Sequence, residues 1–211
     1  MATRTPKTAP KPKAETASKT ELKLNLGCGH NKLDGFINVD YAPACKPDVV
    51  CNLDETPWPW KKNSVSEVVM FHALEHMGAT SEGFFKIMQE LYRICRHDAI
   101  IKITVPHPRH DNFMGDPTHV RAITPQVMTL FSRANCDLWQ AQGASNTPLA
   151  HYLDVDFETT RAEVKLDEPY ASALNSGQLK PADAAMLLRE RNNVATEYMI
   201  DLRVVKSVQS S

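Results

Sequence analysis

The chain has 211 residues, with 24 Lys and Arg balanced by 25 Asp and Glu and a formal net charge of −1. A nearly neutral chain has no global field that would favour nucleic acid or a membrane surface as its partner. The 42% of apolar residues allow a sizeable core, and no apolar stretch approaches the ~18 residues that a membrane-spanning helix needs. We therefore expect one domain with a tail.

The N-terminal segment differs in composition from the rest. Residues 1–20 consist mainly of Lys, Thr, Ala and Pro, which predicts a disordered basic tail ahead of one domain over residues 21–211. This segment lacks the apolar centre of a secretory signal. The five cysteines are odd in number and form no Cys-x-x-Cys pair. This pattern is typical of reduced thiols in a cytoplasmic protein, so we expect a cytoplasmic location.

Short apolar runs alternate with helical patterns from Leu22 onward, which is typical of an α/β protein with a parallel sheet. The predicted strands are Leu22–Leu26, Ile37–Val39, Asp48–Cys51, Val65–Phe71 and Ala99–Val105. Between the last two, apolar residues recur at helical spacing, with Ser81 as the predicted cap and a turn at His97-Asp98.

The second half of the chain is less regular. Helices are predicted from Pro125 to about Arg133 and over Pro181–Arg191. Phe157–Leu166 and Ala195–Val208 alternate in the way of β-strands, which predicts an antiparallel pair at the edge of the sheet.

Two closely spaced glycines and an acid follow the first two predicted strands. Gly27-Cys28-Gly29 ends the run from Leu22, and Asp40 ends the run from Ile37. Glycine lets the backbone turn sharply and approach a ligand closely. An acid at the tip of the next strand can accept both hydroxyls of a ribose. The pattern therefore predicts a nucleoside-containing cofactor across the carboxyl ends of two parallel strands.

The spacing argues against a dinucleotide. A dinucleotide fold has a third glycine, a full helix and an acid about 20 residues on. Here Asp40 follows Gly29 by only eleven positions, so a pyrophosphate-binding helix N-terminus is poorly supported. A nucleoside cofactor without phosphate fits better, and S-adenosylmethionine is such a molecule.

The order of these segments resembles the class I S-adenosylmethionine-dependent methyltransferases, in particular the small type-11-like bacterial group. The resemblance covers roughly residues 22–132 and the strand near 195–206. It is carried by Asn25-Leu-Gly-Cys-Gly-His30, Asn38-Val-Asp40, the segment from Asn52 to Glu67, Phe71-His-Ala-Leu-Glu-His76, the Glu90–Cys95 helix end, Val105-Pro-His107 and Gly115-Asp-Pro-Thr-His119. Two positions depart from the family pattern: Arg96-His97-Asp98 replaces a glycine pair, and Asn52 replaces a common aspartate.

The resemblance implies a fold and a cofactor site. The implied fold is a three-layer Rossmann-like α/β domain with a seven-stranded, mostly parallel sheet and one antiparallel edge strand. The implied cofactor is S-adenosylmethionine, bound by Gly27, Cys28, Gly29, Asp40, Tyr41, Asn52, Leu53 and His72. Trp58 and Trp60, flanked by prolines, are interpreted as core packing beneath this site.

The segment after the fourth predicted strand also matches the motif of a different class of enzyme. His72-Ala-Leu-Glu75-His76 matches the His-x-x-Glu-His signature of inverted zinc peptidases. That motif requires a supporting helix so that residues four apart share a face. A predicted strand precedes His72 directly and Gly78 follows His76 by two, so a zinc hydrolase is the weaker alternative.

The loop after the fifth predicted strand carries His107, His110, Asp116 and His119. His119, Asp116 and His107 are the candidate catalytic residues, because a histidine titrates near neutral pH and can act as a base. Two alternatives are a loop that closes over substrate by packing and a loop that holds a metal. No metal site is assigned.

The predicted function is methyl transfer from S-adenosylmethionine to a small-molecule or saccharide-type acceptor. The alternative from another class is a non-catalytic module that binds the cofactor and acts through a partner. No basic groove with interleaved aromatic residues is visible, so a nucleic-acid acceptor is not favoured.

Overall fold

The computed structural model describes residues 21–206, so the predicted tail and Val208 lie outside the described residues. The seven strands form a single sheet in the order β3-β2-β1-β4-β5-β7-β6. They are β1 (Leu22–Leu26), β2 (Ile37–Asp40), β3 (Val49–Val50), β4 (Val65–Phe71), β5 (Cys95–Pro106), β6 (Phe157–Leu166) and β7 (Ala195–Val204).

The sheet confirms the predicted fold class. Strands β1 to β5 pair in parallel, and β7 pairs antiparallel with both β5 and β6. The reversed strand is therefore β7, one position in from the edge strand β6. Strands β1 and β4 have the predicted bounds. Strand β5 begins four residues earlier than predicted, at Cys95, and Asp98 is a left-handed residue within it (φ 59°) rather than part of a separate turn.

The helices lie between β4 and β7. They are α1 (Ser81–Ile94), α2 (Asp111–Met114), α3 (Pro125–Thr129), α4 (Arg133–Ala141), α5 (Leu149–Tyr152), α6 (Tyr170–Asn175) and α7 (Pro181–Glu190). The predicted cap of α1 was wrong by one residue, because the Thr80 hydroxyl accepts the Gly83 amide at 3.0 Å. The helix predicted from Pro125 to Arg133 is divided, since Ser132 caps a new helix at Arg133.

The hydrophobic core covers one face of the sheet. Leu24, Val68, Ile101 and Ile200 are fully buried there, and α1 adds Phe84, Ile87, Met88, Leu91 and Ile94 at three- and four-residue spacing. The opposite face carries charge at the same strands: the Glu67 carboxylate pairs with Lys23 at 2.9 Å and Lys102 at 2.7 Å. The apolar–polar alternation of β1, β4 and β5 therefore fixes which face packs.

None of the described helices is long and apolar enough to span a bilayer. The parallel strands instead determine where a ligand can bind. Strands β1, β2, β3 and β4 all end at one edge of the sheet, and β1 lies between β2 and β4. From β1 the chain adds β2 and β3 on one side of the sheet and then β4 and β5 on the other side. Such a change of side is a topological switch point, and it leaves a crevice at the carboxyl ends of β1 and β4.

Candidate functional site

A cavity of about 560 Å³ opens at this crevice. Seven of the eight predicted cofactor residues line it: Gly27, Gly29, Asp40, Tyr41, Asn52, Leu53 and His72. Its size falls within the roughly 300–1,000 Å³ of small-molecule sites. The segments that follow four different strands therefore converge on one space.

Cys28 is the predicted residue that does not line the cavity. Its side chain is buried, its amide donates to the Val39 carbonyl at 2.9 Å, and its sulfur lies 2.9 Å from the Lys32 Nζ. Cys28 thus fastens the glycine loop to β2 and points away from the cavity.

The two glycines of this loop meet different constraints. Both have positive φ, 68° at Gly27 and 49° at Gly29. A Cβ on Gly27 would lie 2.5 Å from the Ala73 Cβ, so the close approach of β1 and β4 excludes any side chain. A Cβ on Gly29 would meet no atom within 4 Å. Gly29 also lines the cavity, and no described residue packs against the position of its missing side chain.

Asp40 joins the two strand tips. Its Oδ2 accepts the Gly29 amide at 2.7 Å and its Oδ1 accepts the Ala42 amide at 2.9 Å. A carboxylate has about four acceptor sites, so each oxygen keeps capacity for another donor such as a hydroxyl. The neighbouring Tyr41 ring is 70% exposed at the cavity rim.

Asn52 and Leu53 form the wall that follows β3. The Asn52 amide donates to Glu55 at 2.8 Å, and the buried Leu53 accepts the Trp58 indole N–H through its carbonyl at 3.1 Å. Trp58 and Trp60 are both buried in the core cluster, edge to face at 6.3 Å. The tryptophans therefore support the wall from below, as expected.

His72 lies directly after β4 in a left-handed conformation (φ 50°). Its Nδ1 is 3.4 Å from the Glu75 carboxylate and its Nε2 is 3.0 Å from Glu197. The carboxylates of Glu75 and Glu197 raise the pKa of His72, against the opposing effect of its partial burial. The cavity thus has a side chain that favours the cationic form between two acids.

The His-x-x-Glu-His motif is not helical. His72 precedes a single 3-10 turn over Leu74–His76, and the chain then extends at Met77. His72 and His76 do not share a helix face, so the structure contradicts the geometry that an inverted zinc peptidase requires.

The catalytic candidates separate into two groups. The His119 side chain is nearly buried, its ring lies 4.6 Å from the His76 ring in a tilted arrangement, and its Nδ1 hydrogen-bonds to the Phe113 carbonyl at 2.8 Å. Asp116 accepts the Thr118 hydroxyl at 2.6 Å and its amide at 2.8 Å, and these bonds lower the pKa of its carboxyl group. Because His76 lines the cavity, His119 and Asp116 lie just behind its wall.

His107 lies elsewhere. It lines a second cavity of about 360 Å³ with Arg109, Arg189 and Tyr198, and its ring packs 4.7 Å from the Tyr198 ring. Burial, and then the charge of Arg109, lower its pKa. The structure therefore does not bring His107 to the first cavity, although the sequence places all three candidates in one loop.

The sequence interpretation missed several residues of the first cavity. Ala73, His76 and Met77 line it beside His72, and Asp54 lines it beside Leu53. Asp54 also accepts the Gly78 amide at 2.8 Å, which ties the segment after β3 to the segment after β4. An acid that follows Asn52-Leu53 is the one sequence signal that could have identified Asp54.

Solved structures share this fold. A S-adenosylmethionine-dependent methyltransferase from Archaeoglobus fulgidus superimposes with a TM-score of 0.53 at 20% identity, over 87% of this chain and 86% of that one. A proposed S-adenosylmethionine-dependent methyltransferase from Listeria monocytogenes gives 0.52 at 12% identity, over 89% and 92%. The chain has the fold of the class I S-adenosylmethionine-dependent methyltransferases.

The predicted resemblance is thus confirmed at the level of the fold. No protein-family model matches the chain, and no curated protein matches its sequence. At 12–20% identity the likeness concerns the fold, so the cofactor and the reaction must be argued from the cavity itself.

Proposed function

We propose that this chain binds S-adenosylmethionine in the first cavity and transfers its methyl group to a small-molecule acceptor. The observation that carries the proposal is the 2.7 Å hydrogen bond between Gly29 and Asp40. It couples a glycine with open space beside it to a carboxylate with spare acceptor sites, at the switch point of a methyltransferase fold.

The residues of the cavity suit the parts of this cofactor. The Asp40 carboxylate is assigned to the ribose hydroxyls, and the backbone of Gly27 and Gly29 to the methionine part. Asn52 and Leu53 are assigned to the two sides of adenine, with the Tyr41 ring beside the adenosine. Cys28 acts indirectly, since its buried side chain holds the loop in place.

When bound, the cofactor supplies a methyl group that is already activated by the positive charge on sulfur. The protein then has to align the acceptor with that methyl group and exclude water, which can account for much of the rate. His72, Ala73, His76 and Met77 form the end of the cavity after β4, and we assign the acceptor to this end.

We infer the type of acceptor from these side chains. Two imidazoles and the acids behind them offer hydrogen bonds to hydroxyl groups, which suits an oxygen-rich or saccharide-type molecule. An acceptor hydroxyl must lose a proton during transfer, and His119 is the candidate base nearest to this wall. His107 has no role in this proposal.

Calorimetric titration with S-adenosylmethionine, with and without chelator, tests the cofactor assignment. We expect affinity on the order of micromolar that the chelator does not change. Transfer of labelled methyl groups to the small-molecule fraction of a cell extract then tests catalysis. Binding without transfer would favour the non-catalytic module, and no binding would contradict the proposal.

A further inference from the structure

Three ligand-type side chains converge behind the acceptor end of the first cavity. Glu75, His76 and His119 each offer an atom, and these atoms lie within 4.8 Å of one another. His76 also lines the cavity. Two imidazoles and one carboxylate form the donor set of catalytic zinc sites that keep an open coordination position.

The Glu75 carboxylate has an incomplete set of partners. Its side chain is fully buried, and neither oxygen accepts a hydrogen bond within residues 21–206. His72 Nδ1, at 3.4 Å, is within ion-pair distance of one oxygen. The Arg121 guanidinium lies over the Phe84 ring and donates through one terminal nitrogen to the Gly78 carbonyl, while its buried Nε has no hydrogen-bond partner within residues 21–206. A buried carboxylate with an unsatisfied oxygen is costly unless another positive group completes its environment.

Hydrogen bonds prepare both histidines as ligands. The Thr118 hydroxyl donates to Asp116 at 2.6 Å, so it accepts from the Nδ1–H of His76 at 2.9 Å. His119 donates its Nδ1–H to the Phe113 carbonyl at 2.8 Å. Both rings therefore keep an Nε2 lone pair. An Nδ1–H held by a carbonyl or by a hydroxyl–carboxylate chain is how proteins orient metal-binding imidazoles.

The backbone holds the two contributing segments together. The amides of Val120 and Arg121 donate to the Glu75 carbonyl at 2.9 and 3.3 Å. His119 is thereby fixed opposite the 3-10 turn that carries Glu75 and His76.

We propose that Glu75, His76 and His119 bind one Zn²⁺ ion, with an open position toward the acceptor end of the first cavity. The mixed imidazole and carboxylate donors favour Zn²⁺ over Mg²⁺ or Ca²⁺, which prefer oxygen ligands alone. The ion binds an oxygen of the methyl acceptor, a role that rests on the proposed function. His119 is then a ligand rather than the general base.

The ion supplies the deprotonation that methyl transfer to a hydroxyl requires. A bound hydroxyl has a lowered pKa and releases its proton to solvent. Its oxygen forms the bond to the methyl carbon, the methyl–sulfur bond breaks, and sulfur keeps the electron pair as a neutral thioether. No oxidant or further reactant is needed.

The test is titration of chelator-treated full-length protein with ZnCl₂, followed by calorimetry, and with CoCl₂, followed by its visible absorption. We expect one ion per chain. Glu75→Gln and His119→Gln should each lower zinc affinity ~100-fold or more and abolish the cobalt bands. Thr118→Val should lower affinity by about 10- to 100-fold, because the orientation of His76 is lost. His151→Gln changes a partly exposed histidine paired with Asp137 and should have no effect.

Equal zinc affinity in the wild type and Glu75→Gln, or no binding to a wild type whose thermal unfolding shows it to be folded, would overturn the metal site. Titration of the same samples with S-adenosylmethionine separates the two proposals. Zinc binding without cofactor binding supports the site and contradicts the proposed function, and cofactor binding without zinc binding does the reverse.

Discussion

The first and second cavities lie at the same edge of the sheet and differ in how the fold forms them. The first receives residues from the ends of β1, β2, β3 and β4 at the switch point, and it exposes backbone and a carboxylate. The second lies where β5 meets the antiparallel β7, and its polar lining is His107, Arg109, Arg189 and Tyr198. The comparison indicates that strand order, rather than the presence of titratable side chains, is the basis for choosing the proposed cofactor site.

The glycine pair gives the largest expected effect. Gly27→Ala adds a Cβ 2.5 Å from Ala73 at a positive φ, and we expect it to lower the free energy of unfolding by about 2–4 kcal/mol. Gly29→Ala adds a Cβ in open space and should cost only about 1 kcal/mol from its φ. Chemical denaturation measures both. Equal losses of unfolding free energy in the two variants would contradict the difference in packing between Gly27 and Gly29.

Asp40→Ala should weaken S-adenosylmethionine binding about tenfold or more, because hydrogen bonds to a charged acceptor are lost. Asp34→Ala, an exposed acid in the preceding loop, is the matched control and should bind normally. Asp40 also holds the Gly29 amide, so a cofactor analogue lacking its ribose hydroxyls completes a double-mutant cycle. If the analogue loses as much affinity for Asp40→Ala as for the wild type, Asp40 does not bind the ribose.

The second cavity should affect acid stability instead of binding. Burial lowers the pKa of His107, so below an unfolded-state pKa of about 6.5 the unfolded chain takes up a proton that the folded chain resists. The stability that neutral His107 contributes above about pH 6.5 is then lost as the pH falls from there toward its lower folded-state pKa. His107→Gln should flatten the decline in unfolding free energy below about pH 6.5. A wild-type and variant difference independent of pH would contradict this assignment.

The smallest expected effect is that of Arg109→Ala. Its guanidinium donates to the Arg189 carbonyl at an exposed position, so we expect a stability change within about 0.5 kcal/mol. Calorimetry should give an unchanged affinity for S-adenosylmethionine. A clear loss of affinity would indicate that the cofactor binds in the second cavity, which would contradict the proposed difference between the two cavities.

Local pattern was enough to predict much of the first cavity. The apolar run from Leu22, the glycines after it and Asp40 after the next run determine their own positions, because parallel strands deliver their ends to one edge. Strands β1 and β4 were predicted with their observed bounds. Each is a short run that a glycine or polar residues delimit in the sequence.

The remaining features depend on tertiary pairing. The Val120 amide contacts the Glu75 carbonyl across 45 positions of the chain, and no periodicity reports such a contact. The sequence therefore placed His107 and His119 in one loop, but it could not predict that His107 would pack against Tyr198 of β7, away from the first cavity.

A crystal structure of the protein with S-adenosylhomocysteine tests the central claim most directly. The account predicts the ribose within hydrogen-bonding distance of Asp40 and the homocysteine part along the backbone of Gly27 and Gly29. A ligand bound in the cavity of His107 and Tyr198, or a first cavity that stays empty at saturating ligand, would contradict it.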